Sequence, residues 1–336
     1  MRRTTQPNQP MSKVTKADQG SNKPKQKYQI ENWSSYNQSL VNRGNITLYI
    51  SDAAIKSWNE TGPKARGGQY VYSDICIETI FMLKTVFKLA YRQATGFTQS
   101  LLVIMGCKEL KVPCYTQVSR RVKELDIQPM VIKTKGSITI AIDSTGIKVF
   151  GEGEWKVRKH GYSKRRTWRK LHLGVDPQTG YIHCHTLTLN DIDDGSQLKD
   201  LIGQIKPKVK EGYLDGAYDH FECWETLIKQ QINPVIPPRA DAVIWYAKEP
   251  DDSPYYPRNM AIERIHEVDR ANWKKESNYH RRSLAETTMF RFKTIHGPSF
   301  FSRKFETQQK ETNIKIKLLN IMTAQGMPVS KPKMTA

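Results

Sequence analysis

The stretch SITIAIDSTG, residues 137–146, decides the fold of this chain. Ile138, Ile140 and Ile142 alternate with other residues, which places them on one face of a predicted β-strand. The strand is predicted to end at Asp143, because the Ser-Thr-Gly sequence that follows is typical of a turn. Upstream of this stretch the apolar residues recur at helical spacing. The sequence pattern therefore changes here from one typical of helices to one typical of strands.

The elements that follow have an order typical of an α/β domain. They are strands over 167–175 and 181–189, a helix over 196–205, a strand ending at 213–216, a helix over 221–230 and a strand over 233–236. The turn at 176–180 joins the first two of these strands as an antiparallel pair. Helices separate the later strands, which predicts a mixed sheet with flanking helices. Residues 240–277 form a polar, charged insertion, and a last amphipathic helix covers 307–324.

Two aspartates have the same local context in this pattern. Asp143 and Asp215 each follow an apolar strand and precede small residues and a glycine. In an open α/β sheet, the strand ends form the crevice where ligands bind. Taken singly, each aspartate is more typical of a turn or helix cap. Asp219 ranks below Asp215 because it is expected to begin a helix. Four other aspartates are expected to be solvated turn residues: Asp176, Asp191, Asp193 and Asp194.

The segment from Tyr279 to Lys293 carries a polar stripe. On an α-helix at ~100° per residue, Tyr279, Arg282, Glu286 and Lys293 fall within about 60° of one another. The side opposite the stripe is predicted to supply the packing through Leu284, Phe292 and Ile295. The alternative is a solvated helix face with a loose ion pair.

Glu286 completes a set of three carboxylates with Asp143 and Asp215. An oxygen-rich site of this kind suits Mg²⁺ or Mn²⁺, which are hard ions and prefer oxygen ligands. Two such ions ~4 Å apart stabilise the attacking and leaving oxygens of a phosphodiester during an in-line displacement. The joint pattern therefore favours a two-metal site over two capping aspartates and a solvated glutamate on a helix face.

The net charge points to a polyanionic partner. Lys and Arg total 53 against 33 Asp and Glu, a formal charge of +20. Nucleic acid is favoured over the competing partner, an anionic membrane surface. No apolar run is long enough to span a membrane, and the N-terminus has no secretory signal. Five cysteines without a CxxC pair fit buried thiols in a reducing cytoplasm.

A basic segment covers residues 155–170, between the first and second strands of the sheet. It has no acidic residue, and aromatic side chains are interleaved with its charges. Contact with a DNA backbone is favoured over a solvated basic hairpin, because the charges of a hairpin would repel one another. Eight residues carry the charge: Lys156, Arg158, Lys159, Lys164, Arg165, Arg166, Arg169 and Lys170.

The part of the chain before the strands divides in two. Residues 1–27 are polar and basic and are predicted to form a flexible tail. Residues 28–131 are predicted to be mostly helical, with helices over 73–94 and 98–106 and a third after Pro113. The last two match a helix-turn-helix in outline, a pattern that also occurs in helical domains of other function. Its candidate DNA contacts are Gln117, Arg120 and Arg121.

At this point the residues resemble a known family. The stripe meets a Tyr-(2)-Arg-(3)-Glu-(6)-Lys signature in full. The blocks IDSTG at 142–146 and LDGAYD at 214–219 resemble the family's blocks around its two aspartates, and the stretch from GEWK at 153–156 to RKLH at 169–172 is also similar. The family is the DDE transposases of bacterial insertion sequences, in the group of insertion sequence families four and five.

The resemblance implies an RNase H-like catalytic domain, placed here at residues 132–327 and followed by a tail at 328–336. Asp143, Asp215 and Glu286 would be its divalent-metal triad. Arg282 and Lys293 would contact DNA phosphates near the scissile bond, and Tyr279 would support or stack at the site.

The function expected from this resemblance is transposition. The protein would bind the terminal inverted repeats of its element, cleave the element ends and join the freed 3′-hydroxyls to target DNA. Because two ends must be joined, at least a dimer is expected, in the bacterial cytoplasm at the nucleoid. Two alternatives stay open: a structure-specific nuclease without strand transfer, and a DNA-binding regulator that has lost cleavage.

Overall fold

The computed structural model describes residues 28–63, 66–131, 136–149, 168–245 and 255–333. The predicted tail at 1–27 and most of the basic segment lie outside these ranges. Within them, no helix has both the length and the apolar character needed to cross a membrane.

The first part of the chain is helical, as predicted. A short strand β1 (Tyr28–Ile30) precedes the helices α1 (Trp33–Asn42), α2 (Asp52–Lys56), α3 (Asp74–Val86), α4 (Tyr91–Ile104) and α5 (Tyr115–Arg121). The prediction of one helix over 73–94 is wrong, because Lys88 adopts a left-handed conformation with φ of 53° and ends the helical path. Helix α4 starts afresh after Ala90, whose N–H donates to the Gln93 side chain at 3.0 Å. That bond satisfies one of the donors left open at a helix start.

A five-stranded mixed sheet forms the second part. Its strands are β2 (Ile138–Lys148), β3 (Trp168–Val175), β4 (Ile182–Leu189), β5 (Val209–Tyr213) and β6 (Asn233–Val235). They lie in the order β4-β3-β2-β5-β6. Strand β3 runs antiparallel to β2 and to β4, whereas β5 runs parallel to β2 and to β6. The predicted mixed α/β architecture is confirmed.

Helices pack on both faces of this sheet. They are α6 (Leu198–Gly203), α7 (Phe221–Lys229), α8 (Tyr255–Val268), α9 (Arg270–Glu276), α10 (Ser283–His296) and α11 (Phe305–Ala324). Helices α8 and α9 fall in the segment set apart as an insertion. A 3-10 turn, Tyr279–Arg282, leads directly into α10.

The alternation along β2 separates two apolar layers. Ile138, Ile140 and Ile142 pack with residues of α6 and α7 on one face. On the other face, Ala141 packs with residues of α9 and α10. Successive side chains of a strand point to opposite faces, so β2 is covered from both sides. Residues at its end are thereby held between two packed layers.

Helix α11 contributes to two cores. Ile314 and Leu318 pack among the residues of α3, α4 and α5, whereas Ile316 and Leu319 pack against β3 and β4. Strand β7 (Ser330–Pro332), in the segment predicted as a C-terminal tail, pairs antiparallel with β1. The two predicted domains thus share packing, and the division between them stays a prediction.

Asp219 forms a buried ion pair that ties α8 to the segment after β5. Its carboxylate accepts hydrogen bonds from Arg258 Nε at 2.7 Å and from Trp224 Nε1 at 3.0 Å. Burial would raise the pKa of Asp219, but hydrogen bonds from Arg258 and from the Arg239 N–H outweigh it and lower the pKa. The Asp219 carboxylate is therefore used within the fold.

We predict that Asp219→Ala lowers the free energy of unfolding by about 3–5 kcal/mol, because Arg258 is left buried without its counter-ion. Since the pKa of Asp219 is lowered in the fold, its contribution is present above about pH 4 and is lost as the pH falls through the folded-state value. Urea titration at pH 7 measures the loss. The control is Glu267→Ala, which removes an exposed partner of Arg264 and should change stability by less than about 1 kcal/mol. Equal losses in the two variants would contradict the prediction.

Candidate active site

Asp143 lies inside β2 rather than at its end. Residues 144–148 continue the ladder, because β3 supplies backbone partners beyond Asp143; the predicted end of the strand is wrong. Strand β5, by contrast, ends at Tyr213, which pairs with Ala141. Asp143 lies two residues beyond that pair on β2, and Asp215 lies two residues beyond it, just past the end of β5. The sheet therefore brings the two aspartates to one edge.

Asp143 is largely buried and hydrogen bonded at both oxygens. Its Oδ1 accepts from the Ser144 N–H and its Oδ2 from Arg282 Nη1, each at 2.8 Å. Burial raises the pKa of Asp143, and the negative charges of Asp215 and Glu286 raise it further against the opposing effects of the Ser144 N–H and Arg282. The three predicted carboxylates therefore lie within electrostatic reach of one another.

Asp215 also has the capping role that was its alternative. Its Oδ1 accepts from the Ala217 N–H at 2.9 Å, at the start of the 3-10 turn Gly216–Tyr218. The negative charge of Asp215 contributes to the raised pKa of Asp143. Capping and membership of the site are thus compatible.

Arg282 bridges two of the carboxylates. Its Nη1 donates to Asp143 and its Nη2 to Glu286. The stripe is not one continuous α-helix, because the 3-10 turn that holds Arg282 precedes α10. A 3-10 turn advances by three residues instead of 3.6, which shifts the phase used for the prediction. Among the predicted packing residues, which all lie on α10, Phe292 is buried but Leu284 is 40% exposed.

Tyr279 and Lys293 flank this bridge. Lys293 Nζ donates to Thr145 Oγ1 at 2.6 Å, and burial lowers the pKa of Lys293. The Tyr279 ring centre lies 5.8 Å from the Arg282 guanidinium and 6.3 Å from the Trp273 ring. Burial raises the pKa of Tyr279 to about 12, so its hydroxyl is protonated at neutral pH. All four residues of the stripe therefore lie at or beside the carboxylates.

The donor set fits a hard divalent cation in its chemistry. Three carboxylates share the site, and Arg282 offsets only part of their charge. In the described ranges, however, no three His, Cys, Asp or Glu side chains are close enough to hold one metal ion. Arg282 lies between Asp143 and Glu286, and Glu286 is 54% exposed. Holding a cation therefore requires Arg282 to release the carboxylates and the Glu286 side chain to turn inward.

Comparison with known proteins identifies the family. A family model described as "Transposase DDE domain" matches residues 134–321, more than half of the chain, and a second model with the same description matches residues 41–152. The chain belongs to the DDE transposases. The narrower insertion-sequence group, the RNase H-like assignment and the helix-turn-helix stay predictions.

One solved structure that matches is also a transposase. It is the "Drosophila P element transposase strand transfer complex", which aligns over 84% of this chain and 71% of that chain with 11% sequence identity. The TM-score is 0.29, so the likeness is too loose to bear on the fold or function of this transposase.

Arg121 is corrected from a DNA contact to a structural residue of this transposase. It is only 4% exposed, and its Nη2 pairs with Asp74 at 2.5 Å. Its guanidinium also lies 3.6 Å from the centre of the Tyr70 ring. The helical spacing of the sequence placed it beside Arg120, but it did not show that Arg121 turns toward α3 rather than toward solvent.

Two residues of the basic segment are likewise engaged inside the transposase. Arg169 Nε donates to Gln308 Oε1 at 2.9 Å, and Lys170 Nζ lies 3.1 Å from an oxygen of Asp194. Arg120 on α5 is exposed, and Gln117 is half-buried. The other predicted backbone contacts lie outside the described residues: Lys156, Arg158, Lys159, Lys164, Arg165 and Arg166.

Two aspartates expected in solvated turns are not solvated. Asp176 is buried and accepts hydrogen bonds from its own turn. Asp194 is mostly buried and accepts from Ser144 Oγ at 3.0 Å. Because Asp191, Asp193 and Asp194 crowd into four positions before a helix, their spacing did not indicate which one turns toward the sheet.

Proposed function

We propose that this transposase binds the terminal inverted repeats of the element that encodes it and catalyses metal-dependent DNA cleavage and strand transfer. The observation that carries the proposal is that Arg282 hydrogen bonds to both Asp143 and Glu286, while the charge of Asp215 acts on Asp143 from the segment that follows β5. The family match supports it, as does the net charge of +20, which favours a polyanionic partner.

The three carboxylates would hold Mg²⁺ or Mn²⁺, two ions in the complete site. When bound, such ions stabilise the charge on the attacking and leaving oxygens of an in-line displacement at phosphorus. Asp143 stands on β2 and Asp215 is fixed by its capping hydrogen bond just beyond β5, whereas Glu286 has an exposed side chain. We therefore assign the fixed positions to the aspartates and the adjustable position to the glutamate.

Arg282 and Lys293 would hold the scissile phosphate. A guanidinium presents a planar fork that matches a phosphate as well as it matches a carboxylate. DNA entering the site would compete with Asp143 and Glu286 for Arg282, and so would release both carboxylates. Tyr279, packed beside the guanidinium, restricts the directions in which Arg282 can turn.

Cleavage and joining use the same chemistry. Water first attacks a phosphodiester at the element end, one P–O bond forms and another breaks, and a 3′-hydroxyl leaves. That hydroxyl then attacks a target phosphodiester in a second in-line displacement. One carboxylate site can serve both steps. Since two element ends must be joined, we propose a dimer or larger assembly on DNA.

The helical part of the chain would contact the repeats, and the basic segment at 155–170 would hold the backbone. On the surface of α5, Arg120 is exposed beside Tyr115 and Arg92. The Arg92 guanidinium lies 4.3 Å from the Tyr115 ring centre. Exposed cations next to an aromatic hydroxyl are typical of contacts to phosphate.

We predict that Asp143→Asn and Glu286→Gln abolish both cleavage and joining while DNA affinity changes little, because neither residue belongs to the proposed DNA-reading surface. The substrates are duplexes that carry the repeats flanking the gene, either intact or pre-cut at the 3′ end. Gel assays in Mg²⁺ follow hydrolysis on the intact ends and strand transfer from the pre-cut ends. Glu263→Gln, an exposed glutamate on α8, is the matched control and should retain both activities.

Each failure of this experiment has its own meaning. Hydrolysis without joined product from pre-cut ends would identify a nuclease and contradict strand transfer. Salt-sensitive DNA binding with no cleavage by the unmodified protein would identify a regulator. Normal cleavage by Asp143→Asn would contradict the carboxylate site.

We predict that Arg120→Gln weakens binding to duplex DNA and reduces its salt dependence by about one phosphate contact, without a change in stability. Arg121→Gln should instead lower the free energy of unfolding by about 1–3 kcal/mol, because Asp74 and the Tyr70 ring lose their buried partner. Fluorescence anisotropy at several salt concentrations and urea titration measure the two effects. Weaker DNA binding by Arg121→Gln at unchanged stability would show that Arg121 contacts DNA and has no structural role.

A further inference from the structure

Behind the carboxylate site lies a fourth carboxylate, that of Asp194. It stands at the start of a short 3-10 turn, Gly195–Gln197, yet its side chain makes no capping hydrogen bond there. The neighbouring Asp193 accepts from the Ser196 N–H instead, at 3.3 Å. The Asp194 carboxylate is therefore not needed to start the helix, and it points toward the sheet.

Ser144 links Asp194 to Asp143. Its Oγ donates to Asp194 Oδ2 at 3.0 Å, and its backbone N–H donates to Asp143 Oδ1 at 2.8 Å. Adjacent residues of a strand point to opposite faces. Asp143 accordingly meets Arg282 on the α10 side of β2, whereas Ser144 meets Asp194 on the side covered by α6. One residue thus connects the two carboxylates through the strand.

The second oxygen of Asp194 faces two residues of β3. It lies 3.1 Å from Lys170 Nζ and 3.4 Å from His172 Nδ1. Burial lowers the pKa of His172 to about 4, so its ring is neutral at pH 7 and Lys170 is the counter-ion. Lys170 also donates to the Ile192 carbonyl at 2.7 Å. The Asp194 carboxylate is therefore held by contacts to β2 and β3, and Lys170 is tied in turn to the loop that carries Asp194.

Tyr218 marks the far side of the same region. It is fully buried three residues after Asp215, and its hydroxyl has no hydrogen-bond partner among the residues that the structure describes. Burial raises its pKa, and the charges of Asp194, Asp215 and Asp143 add to the rise. The charge of Asp194 therefore acts on the Tyr218 hydroxyl, as do the charges of the two proposed metal-binding aspartates.

We propose that Asp194 is a positioning residue of the active site, which holds Ser144 and through it the segment of β2 that carries Asp143. The inference rests on the proposed metal-dependent function. Loss of the Asp194 charge would have two effects in the same direction. Ser144 would lose its charged acceptor and keep at most a neutral one, and the positive charge of Lys170 would be left unbalanced near a site that has to attract a cation.

The test measures divalent-ion binding directly, apart from catalysis. Mn²⁺ is titrated into DNA-free protein and free Mn²⁺ is followed by electron paramagnetic resonance. The variants are Asp194→Asn, Ser144→Ala, Asp143→Ala and the control Asp193→Asn, which alters the adjacent exposed aspartate. Thermal unfolding without metal, and kcat and KM for cleavage of repeat-bearing DNA, are measured on the same proteins.

We expect Asp194→Asn and Ser144→Ala to bind Mn²⁺ about tenfold more weakly, as is usual when a group that orients a metal ligand is removed. Their kcat should fall while KM for DNA stays unchanged, and Ser144→Ala should keep the unfolding temperature of the wild type. Asp193→Asn should behave like the wild type, and Asp143→Ala should lose binding. Ser144→Ala keeps the ion pair between Asp194 and Lys170, so it tests the link even if Asp194→Asn folds poorly.

Four results would overturn the inference. Wild-type affinity in Ser144→Ala would show that Ser144 does not transmit an effect of Asp194. Complete loss of binding in Asp194→Asn, equal to that in Asp143→Ala, would make Asp194 a direct ligand instead. Wild-type affinity in Asp143→Ala, or no Mn²⁺ binding by the wild type, would remove the proposed metal site itself and this inference with it.

Discussion

Carboxylates that are held close together in a partly buried site repel one another unless a cation lies among them. The parallel pairing of β2 with β5 brings Asp143 next to Asp215, and α10 adds Glu286 from above the sheet. Arg282 supplies the positive charge, through hydrogen bonds to Asp143 and Glu286. The position of α10 and its 3-10 turn therefore depends on electrostatics as well as on apolar packing.

The same electrostatic repulsion explains why a cation lies beside each face of β2. On one face the strand presents Asp143 to a guanidinium, and on the other Ser144 contacts Asp194 beside the Lys170 ammonium. Each carboxylate is thus accompanied by a cation from a different element. The strand between them is fixed by ladders to β3 and β5, which leaves it little freedom to relieve the repulsion by moving.

The sequence allowed the prediction of features that depend on local periodicity. The alternation of Ile138, Ile140 and Ile142 predicted the central strand and its apolar face, which the structure confirms. The stripe predicted that Glu286 and Arg282 lie on one side, and both indeed meet at the carboxylates. For the strand, local pattern alone was sufficient, because period 2 translates directly into faces. For the stripe it was sufficient only in part, because a 3-10 turn holds Tyr279 and Arg282 ahead of the α-helix.

Features that depend on distant partners could not be predicted in this way. The direction of Arg121 is decided by Asp74, and that of Asp194 by Ser144 and Lys170. Strand β7 exists because β1, some 300 residues earlier, offers its backbone groups. The break at Lys88 depends on a left-handed residue other than glycine or asparagine, for which the sequence has no clear marker.

The packing of α11 limits how the sequence of such a protein can evolve. Its alternate faces fill one core among the N-terminal helices and another beneath the sheet. The N-terminal helices therefore cannot be replaced as a unit by those of a relative unless the replacement helices also pack against Ile314, Leu318 and Met322. Under the proposed function, in which these helices contact the repeats, a new recognition specificity would be confined to their exposed side chains, and the packing between the two parts would have to be inherited together.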